Sequence, residues 1–364
     1  MNPEKIIKNI NKISKKIGRE VRLMELCGTH SQTVARYGIK NILPKNIKLV
    51  SGPGCPVCVT DQSDIDIIVG LANAGISIAA YGDVLDVPGN IMSLSQARQR
   101  GARVFAVYNV AEVLKLKEKY SDIVFFGLGF ETTAPATAWA IKKGIIAYSL
   151  HKLFPPAMAA LLKSAKTKST SPQPSPYKGE GDRIDGFINP GHVSAIIGTE
   201  VYKKFKAPQV VAGFEAQDVL RAIEMLLAQI VRKEKKVENE YCRVVKKEGN
   251  KKALDLINEV FEVGDAKWRG LGEIKNSGLK IRKKYQNQNA EFIYCDLIEK
   301  LRSKIIEKPS ACKCGLVLQG LIEPKDCLLF KEICTPENPQ GACMVSVEGA
   351  CNVEYRYNNA KCKS

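Results

Sequence analysis

Residues 22–30 read RLMELCGTH, and this stretch decides the fold because it holds a strand, a turn and a helix start in succession. The short β-rich run Arg22–Leu26 predicts a strand, which Cys27 and Gly28 end, and a helix is expected to begin at Thr29. Similar β-rich runs alternate with helical patterns further along the chain, at 48–51, 76–81, 103–108, 123–128, 145–149, 184–189 and 209–212. This alternation predicts an α/β protein built on parallel sheets with crossover helices.

Several of these runs end in a glycine turn that carries cysteine, histidine or glutamate. The turns are Cys27–His30, Gly52–Cys55, Gly127–Glu131, Pro190–His192 and Gly213–Glu215. Ligands of open α/β sheets bind beyond the carboxyl ends of the strands, so we expect these turns to line one crevice. Gly-Phe-Glu occurs at 129–131 and again at 213–215, which suggests two related half-domains, although three residues also recur by chance.

The chain of 364 residues is long enough for two or three domains. We predict two doubly wound parallel-sheet domains facing a cleft, plus a C-terminal cysteine-rich iron–sulfur domain. The predicted segments are an N-terminal helix within 1–21 that packs on the C-terminal domain, a first α/β domain at 22–120, a second at 121–240, and the iron–sulfur domain at 241–364. Residues 167–182 are rich in proline and polar residues and predict a disordered insertion.

Composition narrows the functional class. No N-terminal segment has the pattern of a secretory signal and no apolar run reaches membrane-spanning length, so we expect a cytoplasmic protein without a membrane partner. In that reducing compartment, the twelve cysteines favour metal ligation or redox chemistry over structural disulfides. The net charge of +17 is spread over helical faces, which favours a solvated basic surface, attractive to an acidic protein, over nucleic-acid binding.

The C-terminal cysteines occur in a region dense in glycine and proline. They are Cys312, Cys314, Cys327, Cys334, Cys343, Cys351 and Cys362. Their wide spacing lacks the Cys-x2-Cys pairs and histidines of zinc ribbons, and suits the thiolate ligands of an iron–sulfur cluster. A zinc knot or a group of unreactive thiols remains the alternative.

Three cysteines near the N-terminus form a second group. Cys27 precedes a predicted helix start whose free N–H groups favour a thiolate, so it is a candidate nucleophile or soft-metal ligand, or else an ordinary buried thiol. Cys55 and Cys58 form a Cys-x2-Cys pair, typical of redox dithiols and of half zinc sites. Without a second such pair, a redox dithiol or metal binding shared with Cys27 is favoured.

Polar residues on the other glycine turns complete the candidate site. Glu131 and Thr132, with the adjacent Thr133, can accept or donate protons, as can His192 with Ser194. Thr132 and Ser194 also lie where helices should begin, so capping is the alternative interpretation.

The chain resembles the HypD family of hydrogenase maturation proteins over essentially its whole length. The resemblance rests on the motifs Cys-Gly-Thr-His at 27–30, Gly-Pro-Gly-Cys-Pro-Val-Cys-Val-Thr at 52–60, Gly-Phe-Glu-Thr-Thr-Ala-Pro at 129–135, and Pro-Gly-His-Val-Ser at 190–194, together with C-terminal Cys-Thr-Pro-Glu and Glu-Gly-Ala-Cys. Asp61 stands where the family usually has proline, Ala216-Gln217 replaces Pro-Leu, and Asn189 replaces alanine; none of these removes a proposed chemical group.

The resemblance implies a scaffold for assembling the Fe(CN)2CO group of nickel–iron hydrogenases, in complex with a HypC-type chaperone and with cyanide delivered by a HypE-type donor. It implies that Cys27 holds this iron transiently, together with a cysteine of the chaperone, and that Cys55 and Cys58 exchange electrons. His30 follows Cys27 within the same turn and is a further candidate site residue. The family's spacing selects Cys314, Cys327, Cys334 and Cys351 as ligands of a [4Fe–4S] cluster. Cys312, Cys343 and Cys362 are then non-ligands, two of which could form a redox link.

Two other functions are compatible with the same residues. The first is an iron–sulfur-dependent protein disulfide reductase that uses Cys55 and Cys58 on another protein. The second is a zinc protein that only mediates interactions.

Overall fold

The computed structural model describes residues 2–164, 183–305 and 311–357, so the predicted insertion at 167–182 and Cys362 lie outside the described residues. The strands are β1 (Val21–Glu25), β2 (Ile47–Ser51), β3 (Ile78–Tyr81), β4 (Val104–Val107), β5 (Val124–Gly129), β6 (Ile146–His151), β7 (Gly186–Pro190), β8 (Gln209–Ala212), β9 (Val237–Asn239), β10 (Phe261–Trp268) and β11 (Gly272–Ile281). Each of the eight strands predicted between residues 22 and 212 is confirmed, with its ends within two residues of the prediction.

Helices connect these strands. They are α1 (Pro3–Ile17), α2 (Gly28–Arg36), α3 (Ile39–Ile42), α4 (Pro56–Val59), α5 (Gln62–Asn73), α6 (Leu94–Gln99), α7 (Val110–Lys119), α8 (Ala134–Lys142), α9 (Phe154–Ser164), α10 (Gly191–Ile197), α11 (Ala216–Val231), α12 (Lys251–Val260), α13 (Ala290–Ile293), α14 (Cys295–Arg302), α15 (Cys314–Leu318), α16 (Ala342–Val345) and α17 (Ala350–Tyr357). No helix among them combines the length and the apolar character needed to cross a membrane.

Two parallel sheets form the framework, as predicted. The first sheet has the order β2-β1-β7-β8-β9, and the second has the order β4-β3-β5-β6. Every pairing within these two sheets is parallel. In both sheets, later strands lie on each side of the strand that comes first in the sequence, β1 or β3. Doubly wound folds have this arrangement.

The strand pairing does not follow the predicted boundary between residues 120 and 121. The chain builds β1 and β2, leaves to form all of the second sheet, and returns at β7 to pair with β1. Residues 22–120 therefore contribute to both sheets, and so do residues 121–240. Local patterns mark where strands occur, but a parallel partner can come from any distance along the chain.

Helix α1 forms where predicted, but its packing partner differs from the prediction. Asn2 caps it by accepting a hydrogen bond from the Glu4 N–H at 2.9 Å, and Gly18 ends it in the left-handed conformation. The buried Ile6 and Ile10 pack with β1, β2, β7, β8 and α11, in a core that contains no described residue of the cysteine-rich region. The prediction that this helix packs on the C-terminal domain is wrong, because an apolar helix face specifies burial without specifying a partner.

The segment predicted as one C-terminal domain divides into parts that pack in different places. Residues 251–281 form α12 and the antiparallel hairpin β10-β11, which pack against α8 and β6 of the second sheet. The hairpin was not predicted because β10 is largely exposed and polar. Residues 311–357 form short helices and turns whose interior merges with the cores of both sheets, through residues such as Met24, Phe126 and Met344.

Candidate functional site

Four glycine turns lie side by side along the carboxyl edge of the first sheet. Because β2, β1, β7 and β8 are adjacent and parallel, the turns that follow them meet at one edge. In spatial order these turns are Gly52–Cys55, Cys27–His30, Pro190–His192 and Gly213–Glu215. Four of the five turns predicted to line one crevice therefore lie together. The fifth, which contains Gly129 and Glu131, follows β5 of the second sheet.

Cys27 is the residue that precedes helix α2, and it is buried with 9% of its surface exposed. Hydrogen bonds from Thr29 and from the His30 backbone favour its thiolate, as expected at a helix start. Burial and the nearby charge of Glu348 outweigh them, and raise the pKa of the Cys27 thiol to about 12. The expected thiolate is therefore disfavoured until a cation or metal compensates the loss of hydration.

The turn of Cys55 lies directly against the backbone of Cys27. A Cβ atom added at Gly54 would be 2.4 Å from the Cys27 nitrogen, so only glycine permits this approach. Cys55 and Cys58 are joined as a disulfide at the start of α4, with Cα atoms 5.2 Å apart. The cysteine pair that the sequence predicts to be redox-active is therefore present as a disulfide. Its turn adjoins Cys27, the predicted iron ligand.

His30 is fully buried and belongs to an aromatic stack. Its Nε2 donates to the carbonyl of Gly213 at 2.9 Å, which leaves Nδ1 unprotonated and buried, with no hydrogen-bond partner in the described part of the chain. Burial lowers the pKa of His30 to about 4, so it is neutral at pH 7. Phe214 lies between the rings of His30 and the exposed His192, at centroid distances of 4.9 and 3.9 Å.

Glu131 is buried on the opposite sheet. One carboxylate oxygen accepts from the Phe154 N–H at 2.9 Å, whereas the other has no hydrogen-bond partner among the described residues. Burial raises the pKa of Glu131 to about 7. Burial raises the pKa of Tyr202, and the proximity of Glu131 and Cys27 raises it further, so its hydroxyl lies near both groups.

The remaining predicted polar residues have different positions. Thr132 is exposed, and the residue that precedes α8 is Thr133, so Thr132 neither caps that helix nor joins the buried groups. Ser194 lies inside α10, where its hydroxyl donates to the Pro190 carbonyl at 2.8 Å and contacts the Tyr202 hydroxyl at 3.1 Å.

The C-terminal cysteine group consists of Cys312, Cys314, Cys327, Cys334, Cys343 and Cys351. The four predicted cluster ligands are each 6–8% exposed. Burial raises the pKa of the Cys334 thiol, and the other three predicted ligands lie near enough to raise it further. Hydrogen bonds from Cys312 and Cys343 lower the pKa of Cys314 well below its usual value. The structure thus gathers these thiols in one buried place.

The four predicted ligands of this group are all free thiols. Within residues 2–164, 183–305 and 311–357, no three Cys, His, Asp or Glu side chains converge as a site for one metal ion. A four-iron cluster differs, because its thiolate ligands surround a cube and bind separate iron atoms. Four buried thiols without a histidine are a donor set that fits such a cluster.

The C-terminal cysteine group adjoins both N-terminal cysteine sites. The Cys58 sulfur lies 3.9 Å from the Ala342 carbonyl oxygen, and the next residue, Cys343, is hydrogen-bonded to Cys314 and Cys351. On the Cys27 side, Glu348 accepts from the Thr29 hydroxyl at 2.8 Å. Short contacts therefore connect all three cysteine sites.

Sequence reasoning assigned no role to several groups in this region. Glu348 lies within the Glu-Gly-Ala-Cys segment, where the sequence pattern points to the cysteine alone. Phe214 belongs to a noted glycine turn, but nothing in the turn indicates that it stacks between two histidines. Tyr202 has no sequence signal, since its position beside Ser194 depends on how β7 and β8 pair.

A family model and several known proteins of one kind match this chain over nearly its whole length. A family model described as HypD, hydrogenase formation hypA family, matches residues 2–358. The chain is 41% identical to hydrogenase maturation factor HypD1 of Bradyrhizobium diazoefficiens over 94% of this chain and 91% of that protein. It is 39% identical to hydrogenase maturation factor HypD of Cupriavidus necator, and 40% identical to that of Azotobacter vinelandii, with the same coverage in each case.

Proposed function

The chain belongs to the HypD family of hydrogenase maturation factors, and we propose that it is the scaffold on which the Fe(CN)2CO group of nickel–iron hydrogenases is assembled. The observation that carries this proposal is the position of Cys27, which lies in a glycine turn beside a disulfide and a buried group of thiols. This arrangement combines one candidate iron ligand with two candidate redox groups.

Cys27 would hold the iron through its sulfur. Low-spin iron that bears cyanide and carbon monoxide is a soft centre and accepts thiolate ligands. Binding the iron would offset the burial that keeps this thiol protonated, since a coordinated thiol is deprotonated. The proton displaced from Cys27 needs an acceptor, and Glu348 is the carboxylate whose charge acts on this thiol.

Hydrogen-bond donors near Cys27 would orient the anionic cyanide ligands. Backbone N–H groups at a helix start attract anions, and α2 begins immediately after Cys27. His30 is kept neutral with its Nε2–H fixed on Gly213, so its ring would act as a rigid support and not as a titrating base near pH 7.

The four predicted ligands Cys314, Cys327, Cys334 and Cys351 would hold a [4Fe–4S] cluster, which would supply electrons one at a time. Reduction of the Cys55–Cys58 disulfide consumes two electrons and two protons, so two one-electron transfers are needed. The contact between Cys58 and Ala342 brings the disulfide next to the cysteine group from which these electrons would come.

We further propose that a HypC-type chaperone supplies a second thiolate to the iron and that a HypE-type protein delivers cyanide. The partners would approach the carboxyl edge of the first sheet, where His192 is exposed. A cytoplasmic location fits both this chemistry and the thiols, and remains a prediction.

Infrared spectroscopy of the anaerobically isolated complex with a HypC-type partner tests the iron assignment. We expect cyanide and carbon monoxide stretching bands from the native chain and their loss in Cys27→Ala. Cys242→Ala is the matched control, because Cys242 is exposed, and it should retain the bands. Bands that persist in Cys27→Ala would show that Cys27 is not the ligand.

The second candidate function is protein disulfide reduction, and the disulfide beside the C-terminal cysteine group favours it specifically. A reductase that uses only Cys55 and Cys58 should keep its insulin-reducing activity in Cys27→Ala. The scaffold instead requires Cys27 for hydrogenase maturation. Measuring both activities in this variant separates the two functions.

Metal analysis tests the interpretation as a zinc protein. About four iron and four sulfide per chain after anaerobic purification would support the cluster, whereas stoichiometric zinc without sulfide would favour the structural alternative.

A further inference from the structure

Arg269 ties the segment after Cys58 to the rest of the protein. It follows Trp268 at the end of β10, and its backbone N–H donates to the Val59 carbonyl at 2.8 Å. Its side-chain Nε donates to the Thr60 carbonyl at 2.8 Å, and Nη1 donates to the Gln62 Oε1 at 2.9 Å. Three hydrogen bonds from one residue thus fix the chain that leaves the disulfide.

The same residue borders the C-terminal cysteine group. Arg269, Cys312 and Cys314 line one cavity of about 660 Å³. The neighbouring backbone is in close contact as well, since a Cβ atom at Gly270 would lie 2.5 Å from the Gly315 Cα. The Arg269 guanidinium lies close enough to the Cys314 sulfur for its charge to act there.

One guanidinium nitrogen of Arg269 makes no hydrogen bond to the described part of the chain. Nη2 is buried and has no hydrogen-bond partner among the described residues. Buried donors are nearly always paired, and charged donors pair preferentially with anions. A sulfur of an anionic cluster bound beside Cys314 is an acceptor that would satisfy this nitrogen.

We propose that Arg269 is a positioning residue that holds residues 59–62 against the C-terminal cysteine group and raises the reduction potential of a [4Fe–4S] cluster bound there. This inference rests on the proposed function, because it requires that cluster. A cluster held by four thiolates becomes more negative when it accepts an electron, so a nearby fixed positive charge stabilises the reduced form. The same residue would therefore set the electron affinity of the cluster and the position of the disulfide beside it.

A redox titration of the full-length, anaerobically purified chain tests the electrostatic part. The reduced cluster is followed by electron paramagnetic resonance while dithionite supplies single electrons. In Arg269→Gln we expect the ratio of reduced to oxidised cluster at a fixed potential to fall about tenfold, a shift of about 59 mV to lower potential. Arg269→Lys keeps the charge and should remain near the native value.

Arg282→Gln is the matched control. Arg282 also donates from Nε to two carbonyls, those of Asn258 and Phe261, but it lies at the far end of the hairpin and does not line the cavity. Its removal should leave the potential unchanged. An unchanged potential in Arg269→Gln, or equal shifts in Arg269→Gln and Arg269→Lys, would overturn the electrostatic assignment.

A second measurement does not require the cluster. In Arg269→Gln, amide hydrogen exchange at residues 59–63 should become faster, because the bonds to Thr60 and Gln62 are lost, and Arg282→Gln should leave it unchanged. Unaltered exchange in Arg269→Gln would overturn the positioning role. A native chain that binds no iron–sulfur cluster would instead contradict the proposed function, before any variant is compared.

Discussion

The contact between Gly54 and Cys27 can be tested by adding a single methyl group. In Gly54→Ala the new Cβ would lie 2.4 Å from the Cys27 nitrogen and 2.5 Å from its Cα. Gly54 does not have a left-handed backbone conformation, so the strain comes from this contact alone. The substitution therefore probes the packing of the two cysteine turns against each other.

The size of the effect follows from the distances. Real Cβ atoms essentially never approach within 3.0 Å, so the two turns must separate by at least 0.6 Å, the difference between 3.0 and 2.4 Å. The opposing atoms belong to the backbone and cannot rotate away as a side chain would. Overpacking of this kind costs about 1–3 kcal/mol, and we expect a loss near the upper value in the free energy of unfolding.

Urea unfolding under anaerobic conditions measures this loss. Gly82→Ala is the matched control, because a Cβ atom there meets nothing within 4 Å and its backbone φ is not left-handed. Its free energy of unfolding should stay within about 1 kcal/mol of the native value. Equal unfolding midpoints for Gly54→Ala and Gly82→Ala would refute the close approach of the two turns.

Three further predictions concern pH, metal content and packing. The pKa of Glu131 is about 7 in the folded chain against 4.5 in the unfolded chain, so its contribution to stability is full below pH 4.5 and is lost as the pH rises through 7. Relative to the native chain, Glu131→Gln should gain about 3 kcal/mol of stability between these pH values, as measured by urea unfolding at each pH. Cys334→Ala should lower the iron content and speed hydrogen exchange in residues 311–357, while the exposed Cys295→Ala should do neither. Ile10→Ala should cost about 2–5 kcal/mol by leaving a cavity under α11, with the iron content per folded chain unchanged.

Each of these predictions can fail in a distinct way. A stability difference between the native chain and Glu131→Gln that is independent of pH would mean that Glu131 is not protonated by burial. Full iron content in Cys334→Ala would remove Cys334 from the proposed ligand set. Loss of iron from folded Ile10→Ala would indicate that α1 supports the cysteine group after all.

Local patterns were sufficient to predict the secondary structure that surrounds the site. The strand before Cys27, the glycine turn and the following helix are specified by neighbouring residues, and all of them are confirmed. Helix α1 was predictable for the same reason, since isoleucine spacing and Pro3 act within the helix itself. The β10-β11 hairpin was not predicted, because the largely exposed strand β10 lacks the alternation that marks a half-buried strand.

Electrostatics at Cys27 required the tertiary structure. The sequence shows the helix start, whose N–H groups favour a thiolate, and leaves an ordinary buried thiol as the alternative. Folding buries the sulfur and places Glu348, from the far end of the chain, beside it, and the sum of these effects reverses the expected direction of the pKa. Local reasoning fails here because desolvation and long-range charges depend on how distant segments pack.

The sequence by itself determined the residue types of the site, the strands that end in them, and the family to which the chain belongs. Only the tertiary structure decided that β7 returns to pair with β1, that α1 packs on α11, and that Arg269 lies between the disulfide and the C-terminal cysteine group. The physical reason is that strand and helix formation depend on neighbouring residues, whereas pairing, burial and charge depend on segments that folding brings together.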